Sequence, residues 1–337
     1  MFCEKFLALS IKKVITLTAV ALISVLMIYG FILISKIFSA NTKFEEKELY
    51  VHVPTGATYT DVKKILEPYI KNFENFEMVA DKRSYPENVK SGRFLLKKGM
   101  NNIDLVRAMR SNVPVKLAFN NQERLENFAG RIGSQIEADS LSLMKAFKDP
   151  DFMKANGFNE DNVFAMFIPN TYEVYWNTSA VKFRDKMIKE YHNFWTDERI
   201  EKAKKQGLTP VQATILASIV HKESVKKDER PRIAGVYLNR LRAGMPLQAD
   251  PTVIYALKLR DNNFDQVIKR VFYNDLVMRS PYNTYVNTGL PPGPISNPGL
   301  VALRATADTP KTNYYFFQVV DPAAGRHVFT TNFEEHI

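Results

Sequence analysis

One carboxylate, Glu223, occupies a position where an apolar residue is expected on a predicted helix. The helix begins at a capping-box sequence with proline in its first turn, TPVQ at 209–212. Its apolar stripe contains Leu216, Ile219 and Val220, and Glu223 continues the same i, i+3, i+4, i+7 spacing. The pattern therefore predicts a carboxyl group that lies against apolar surface.

Such a carboxyl group is suited to general acid catalysis. Apolar surroundings disfavour the charged form and raise the pKa. Cleavage of a glycosidic bond needs an acid of this kind, because the leaving oxygen must receive a proton as the sugar gains oxocarbenium character. The alternative is that Glu223 lies at a frayed helix end, where it is solvated or paired with Lys222, Lys226 or Lys227. Spacing alone does not decide between the two.

Four sequence segments near this carboxylate support the catalytic interpretation. They read ASIVHKES at 217–224, ERPRIAGVYLNRLRAGMPLQADPTVIYAL at 229–257, SPYNTYVNTGLPPGPISNPG at 280–299 and HVFTTNFEEH at 327–336. Together they closely resemble the YceG-like family of endolytic murein transglycosylases, the MltG type. The resemblance is specific from about residue 205 to the end and weaker upstream.

The resemblance implies that Glu223 is the catalytic residue, the same side chain that the helical spacing selects. It also implies that a set of polar and aromatic residues binds substrate: Asn239, Arg240, Gln248, Asp250, Tyr282, Asn283, Tyr285 and Asn297. Amides and hydroxyls suit sugar hydroxyl and N-acetyl groups, and tyrosine faces offer flat apolar contact. For Asp250, a role as helix cap is an equally good interpretation.

Other matches to the family are less direct. His221 stands where the family commonly has a first Glu, and its position off the apolar stripe predicts an exposed helix histidine. Asn170 replaces a common Asp in the motif FIPNTYEVYW. His327 and the pair Glu335 and His336 match the family's tail, for which surface hydrogen bonding is at least as good an explanation as catalysis.

An apolar segment near the N-terminus predicts a membrane anchor. Residues 14–35 read VITLTAVALISVLMIYGFILIS, which is uncharged and long enough to span a bilayer as a helix. Lysines before it favour a cytoplasmic N-terminus, with the rest of the chain outside the cytoplasm at the inner (plasma) membrane. A cleaved signal peptide ending near Ser39 and Ala40 is the competing interpretation, but the apolar run exceeds the usual signal length.

The outer part divides into two predicted domains joined to the anchor by a linker. Residues 1–13 form the predicted cytoplasmic tail and residues 36–48 the linker. Residues 49–115 show a strand, helix, strand, helix pattern, in which Thr60 or Asp61 caps the first helix, and they look like the LysM-like module of the family. Residues 116–337 form the larger catalytic domain. The predicted fold class is α+β, with a helix-rich catalytic domain and accessory strands.

Composition limits the partners. A net charge of +10 favours an anionic neighbour, yet the chain carries no recognised nucleic-acid module, so we predict no nucleic-acid binding. Cys3 is the only cysteine and the five histidines show no metal-binding spacing, which predicts neither a disulfide nor a metal. No cofactor is expected. The resemblance implies peptidoglycan strands as the substrate and glycan-polymerising synthases as neighbours.

The resemblance implies lytic transglycosylation, in which Glu223 acts as both acid and base and the muramyl C6 hydroxyl attacks within the substrate. Two alternatives remain open. One is a hydrolytic muramidase that uses Asp250 or Glu229 as a second carboxylate. The other is a non-catalytic protein that binds peptidoglycan as a scaffold.

Overall fold

The computed structural model describes residues 2–321 and 325–336, with the side chains of residues 2–12 left aside. The predicted cytoplasmic tail therefore falls outside the described side chains, apart from Lys13. The fold is mixed α+β, as the sequence predicts. The chain divides into two compact units, residues 1–115 with 175–177, and residues 116–174 with 178–337. Each unit has its own apolar core.

The first helix, α1 (Phe2–Phe38), contains the predicted anchor. Its segment Lys13–Phe38 has a mean hydropathy of 2.6, and none of its most apolar part is buried. At 1.5 Å per residue, this segment is about 39 Å long, which exceeds the roughly 30 Å hydrocarbon core of a bilayer. By length and composition α1 can cross a membrane, and a signal sequence has the same properties.

The remainder of the first unit is a small α+β assembly. Its elements are β1 (Glu48–Val53), α2 (Tyr59–Leu66), α3 (Phe73–Lys82), β2 (Gly92–Lys97) and α4 (Asn102–Ala108). β1 and β2 pair antiparallel, and alternate residues of both strands point into the core, where they pack against the apolar faces of the helices. Whether this unit is LysM-like stays a prediction.

The cap of α2 corrects the sequence prediction. Thr58, rather than Thr60 or Asp61, is the N-cap, and its hydroxyl oxygen accepts from the Asp61 amide. The Asp61 carboxylate in turn accepts from the Thr58 amide, which completes a capping box. Asp61 takes part in the box as the third helical residue, so the helix begins two residues earlier than the prediction allows.

The second unit is mainly helical. Its elements are β3 (Pro114–Ala118, which begins at the end of the first unit), α5 (Leu125–Gly133), α6 (Ser140–Phe147), α7 (Pro150–Ala155), β4 (Thr171–Tyr175), α8 (Ala180–Phe194), α9 (Asp197–Lys205), α10 (Pro210–Glu223), α11 (Arg230–Arg242), α12 (Asp250–Arg260), α13 (Tyr273–Leu276), α14 (Leu300–Ala307), β5 (Phe316–Asp321) and β6 (Arg326–Thr330). β3 pairs with β4, and β5 forms an antiparallel hairpin with β6.

α10 is the central helix of this unit. Thr209 and Gln212 form the predicted capping box, and residues 213–220 are all buried. α14 and α11 pack against it. The small side chain of Ser218 lets the segment around Ile295 approach α10 closely. The buried Ser218 hydroxyl accepts from the Ile295 amide at 3.1 Å. This packing fixes the end of α10, where Glu223 lies.

Candidate active site

Glu223 is the last residue of α10 and lies half-buried in a cleft of about 330 Å³. The cleft is formed by the ends of α10 and α12, one face of α11, the loops at 247–248 and 285, and the β5–β6 hairpin. The lining residues are Glu223, Tyr237, Arg240, Leu247, Gln248, Asp250, Tyr285, Phe317, Gln318, Val319, His327 and His336.

The Glu223 carboxyl group has a neutral hydrogen-bond donor beside it. The buried Tyr237 hydroxyl, on α11, donates to Glu223 Oε1 at 2.6 Å. Burial is the largest of three effects that together raise the pKa of Glu223 to about 7: the Tyr237 hydrogen bond opposes it, and the negative charge of Asp250 adds to it. A substantial fraction of Glu223 is therefore protonated near neutral pH, as a general acid requires.

The alternative pairing of Glu223 with the adjacent lysine is not what the structure shows. The Lys222 ammonium group is 2.7 Å from the Glu123 carboxylate, which also binds Lys258 at 2.7 Å. Lys222, the lysine next to Glu223 in the sequence, is therefore paired with Glu123. The carboxyl group of Glu223 lies in the cleft instead.

Asp250 faces the same cleft, and the structure corrects its alternative role as a helix cap. Ala249 is the N-cap of α12, and Asp250 is the first helical residue. Its carboxylate accepts from the Tyr285 hydroxyl at 2.6 Å. Burial raises the pKa of Tyr285, and the bond to Asp250 raises it further, so Tyr285 remains a donor at neutral pH. The two residues together form a polar part of the cleft lining, which also includes Tyr237.

Arg240 and Gln248 complete the floor of the cleft. Arg240 is buried, and its guanidinium donates to the carbonyls of Tyr315 and Leu247 at 2.7 and 2.9 Å and to Gln248 Oε1 at 3.1 Å. Gln248 has a φ of 54°, in the left-handed region. Arg240 thus joins the loop before α12 to the segment that leads into β5, so its packing shapes the cleft.

The other four predicted substrate-binding residues do not line this cleft. Asn239 donates to the carbonyls of Thr312 and Tyr314, each at 2.9 Å. Asn283 and Asn297 are fully buried and hydrogen-bond to loop backbone, and Tyr282 packs against the Tyr255 ring at 4.8 Å. In this structure these four side chains hold the loops that surround the site.

His221 also differs from its prediction as an exposed histidine. It is half-buried, and its Nδ1 accepts from the Gly299 amide, the N-cap of α14, at 3.2 Å. Burial, together with the charges of Arg230 and Lys222, lowers the pKa of His221 to about 4. The neutral ring therefore ties α10 to α14. The helical stripe did not reveal this role because α14, which covers the ring, lies almost eighty residues further along the chain.

The family's tail residues lie at the same site. His327 and His336 line the cleft, and the His336 ring stacks on Phe316 at 5.2 Å. The Glu335 carboxylate accepts from the amide and hydroxyl of Thr331 instead, so it stabilises a turn. Asn170 accepts from the neighbouring Thr171 amide before β4.

Sequence reasoning missed Tyr237 as a cleft residue. It lies fourteen residues beyond Glu223, on a different helix, so no local spacing links the two side chains. The sequence signal that could have found Tyr237 is its place within the family-like segment 229–257, close to the predicted substrate-binding residues Asn239 and Arg240.

Comparisons with known proteins find similar proteins of one family. The sequence profile of the YceG-like family matches residues 51–337. An endolytic murein transglycosylase from Bacillus subtilis (strain 168) is 29% identical over 307 residues, which cover 85% of this chain and 82% of the relative. One from Streptococcus pneumoniae (serotype 2, strain D39) is 25% identical, and the match covers 88% of this chain but 58% of that longer relative.

A solved structure of a similar protein has a similar fold. The crystal structure of a putative yceG-like protein from Listeria monocytogenes is similar with a TM-score of 0.56 and 29% sequence identity. The match covers 87% of this chain and 98% of that one. The likeness therefore extends over both compact units.

Proposed function

This chain belongs to the YceG-like family, and from that premise we propose that it is a lytic transglycosylase of peptidoglycan with Glu223 as its catalytic acid. The family match covers most of the chain, and relatives in two genera carry the name endolytic murein transglycosylase. The observation that carries the proposal is the raised pKa of Glu223, to about 7, in a cleft lined by hydrogen-bonding side chains.

The proposed reaction proceeds within the substrate. Protonated Glu223 donates its proton to the glycosidic oxygen between N-acetylmuramic acid and N-acetylglucosamine, and the C1–O bond breaks. The resulting carboxylate accepts the proton of the muramyl C6 hydroxyl, whose oxygen bonds to C1. The product has a 1,6-anhydromuramyl end, and Glu223 is protonated again. Because the nucleophile belongs to the substrate, one carboxyl group is sufficient.

Tyr237 supports both halves of this cycle. Its hydroxyl donates to Oε1 at 2.6 Å, which leaves Oε2 as the oxygen that carries the transferred proton. Burial raises the pKa of Tyr237 well above 10, and the neighbouring Glu223 adds to the effect, so the hydroxyl stays a donor. It therefore stabilises the carboxylate that forms when the proton has left.

A second candidate, hydrolysis by two carboxylates, has one observation in its favour. Asp250 lines the same cleft as Glu223 and is close enough to raise its pKa. Glu229, the other carboxylate considered, is buried and bonded to His327, and it does not line the cleft. A hydrolytic mechanism would therefore use Asp250 to activate water. Non-catalytic binding of peptidoglycan is the third possibility that the test must separate.

We also place the reaction at the membrane. The segment Lys13–Phe38 of α1 is apolar and its most apolar part is not buried, and α1 would hold the second unit outside the cytoplasm if the N-terminus is cytoplasmic. There the enzyme would cut nascent strands and so terminate them, close to glycan-polymerising synthases.

The test is to digest purified glycan strands with the full chain and to identify the new ends by mass in H₂¹⁸O. Transglycosylation predicts anhydro ends without ¹⁸O. Reducing ends that carry ¹⁸O would establish hydrolysis instead. Strands that are bound and never cut would support the scaffold role.

A further inference from the structure

The cleft lining also includes His327, a polar residue that the mechanism above does not use. It lies on β6, and only 6% of its side chain is exposed. Its ring Nδ1 is 2.8 Å from Glu229 Oε2, and its own backbone amide donates to Glu229 Oε1 at 3.1 Å. One buried carboxylate therefore holds both the backbone and the ring of the same residue.

The ionisation state of the Glu229 carboxyl group determines which ring nitrogen of His327 carries the hydrogen. Burial raises the pKa of Glu229, but the hydrogen bonds from His327 and the charge of Arg326 outweigh it, and the pKa lies below its usual value. An ionised carboxylate can only accept hydrogen bonds. Nδ1 must therefore carry hydrogen, and in the ring with a single N–H the atom that can accept a hydrogen bond is Nε2.

The His327 ring also packs against an aromatic side chain. Phe317, on β5, packs edge-to-face on the His327 ring at 5.5 Å and on the Tyr237 ring at 5.7 Å. Tyr237 is the donor to Glu223. The two polar groups of the cleft are thus positioned through one shared aromatic side chain, although they come from α11 and β6.

We propose that His327, positioned by Glu229, contacts the sugar in the cleft and accepts a hydrogen bond from an O–H or acetamido N–H group of the glycan. The proposal rests on the proposed function, because it assumes a glycan in this cleft. A sugar presents many donors, whereas the nearby Tyr237 and Tyr285 hydroxyls donate to carboxylates. His327 supplies an acceptor that brings no negative charge beside Glu223.

Two isosteric substitutions remove the acceptor by different routes. His327→Asn keeps a donor in the Nδ1 position for Glu229 and lacks the distal nitrogen. Glu229→Gln keeps the ring, but its amide can donate to Nδ1, which places the hydrogen on Nε2 and turns the acceptor into a donor. The matched control is His192→Asn on α8, whose side chain is exposed.

Steady-state cleavage of soluble glycan strands by the full chain tests the proposal, with all bond breaks counted whatever the end type. We expect His327→Asn and Glu229→Gln each to raise KM about 3- to 10-fold, the usual net worth of one hydrogen bond, with a smaller change in kcat. The double variant should be no worse than His327→Asn alone, since Glu229 acts through His327. His192→Asn should match the parent.

An unchanged KM in a His327→Asn chain that melts at the parent temperature would overturn the proposal, as would independent, additive effects of the two substitutions. Cleavage that leaves reducing ends would refute transglycosylation and leave this test intact. If the parent chain cuts no strands, its dissociation constant for the same strands replaces KM. Equal affinity of the parent and His327→Asn would then reject the contact.

Discussion

The protonation of Glu223 is set by two neighbours with opposite effects. Asp250 raises its pKa by repulsion of the charged form, and the Tyr237 hydroxyl lowers it by donating to that form. Burial is the largest cause, and the three effects together raise the pKa to about 7. Because Glu223 acts as an acid, activity should be lost as pH rises through this pKa. Each neighbour can be removed without a change of shape.

Tyr237→Phe should move the alkaline limb of the pH–rate profile to higher pH. The substitution removes the hydrogen bond that stabilises the carboxylate, so the pKa of Glu223 rises. The measurement is kcat/KM against pH for the parent and the variant. Tyr175→Phe, at an exposed position, is the control. A limb that stays fixed or moves to lower pH would show that Tyr237 does not govern this titration.

Asp250→Asn should move the same limb to lower pH. The amide removes the charge that raises the pKa of Glu223, and its oxygen can still accept from Tyr285. The enzyme should stay active at pH 5 to 6. If Asp250 instead activates water in a hydrolytic mechanism, its loss would abolish turnover at every pH, by about 10²–10⁴-fold.

The sequence was informative for Glu223 and much less so for its partners. A carboxylate on an apolar stripe is a local pattern, and the spacing within α10 was enough to select it. Tyr237 and His221 acquire their roles from other helices, and a single-helix pattern does not contain those contacts. For that reason an exposed position was predicted for His221, although it is half-buried against Gly299.

The element that positions the acid is α10, together with the loop at 280–299 that covers it. Asp161 and Gly293 are in close contact there: a Cβ on Gly293 would lie 1.9 Å from the Asp161 carbonyl oxygen. Ile295, two residues further on, donates its amide to Ser218 in the middle of α10. The close approach at Gly293 is thus part of the packing around the catalytic helix.

Gly293→Ala should lower the melting temperature by several degrees, since the clash with backbone forces the loop to move at a cost of about 1–3 kcal/mol. Gly130→Ala is the matched control. A Cβ there meets nothing within 4 Å, and alanine in α5 should be neutral or stabilising by about 0.5–1 kcal/mol. Equal melting temperatures for the parent and both variants would show that this contact is not needed.

Elements with strong local signals were predicted well. The capping box at Thr209 and the two strands predicted within residues 49–115 appear as α10, β1 and β2. The cap of α2 was placed two residues late, because Thr58, Thr60 and Asp61 are all good caps and only the backbone conformation distinguishes them.

At the scale of the whole molecule, the described residues form two compact units, each with its own apolar core. Among these residues, α1 is the candidate membrane anchor. Composition and hydropathy were sufficient to predict the α+β class and the apolar helix. They do not distinguish an anchor from a cleaved signal, because both are apolar and close to the N-terminus. That distinction depends on processing in the cell rather than on packing.

The anchor proposal predicts that the chain stays in the membrane fraction after an alkaline wash and keeps its N-terminal residues. Intact mass of the detergent-extracted protein should show that residues 1–40 are retained. A mature form that lacks residues 1–40 and appears in the wash would instead identify a cleaved signal. Leu26→Arg, in the middle of the span, should weaken retention, and Leu141→Arg, exposed in the second unit, should not.

The role of Glu223 as the catalytic acid is tested most directly by the rate of glycan cleavage by Glu223→Gln. Glu201→Gln on α9 is the control for charge loss elsewhere. Glutamine keeps the shape and can still accept from Tyr237, but its amide has no acidic proton to transfer. We predict that kcat falls by about 10²–10⁴-fold and that anhydro ends disappear, while Glu201→Gln matches the parent. Cleavage by a folded Glu223→Gln chain at the parent rate would contradict the assignment of the catalytic acid.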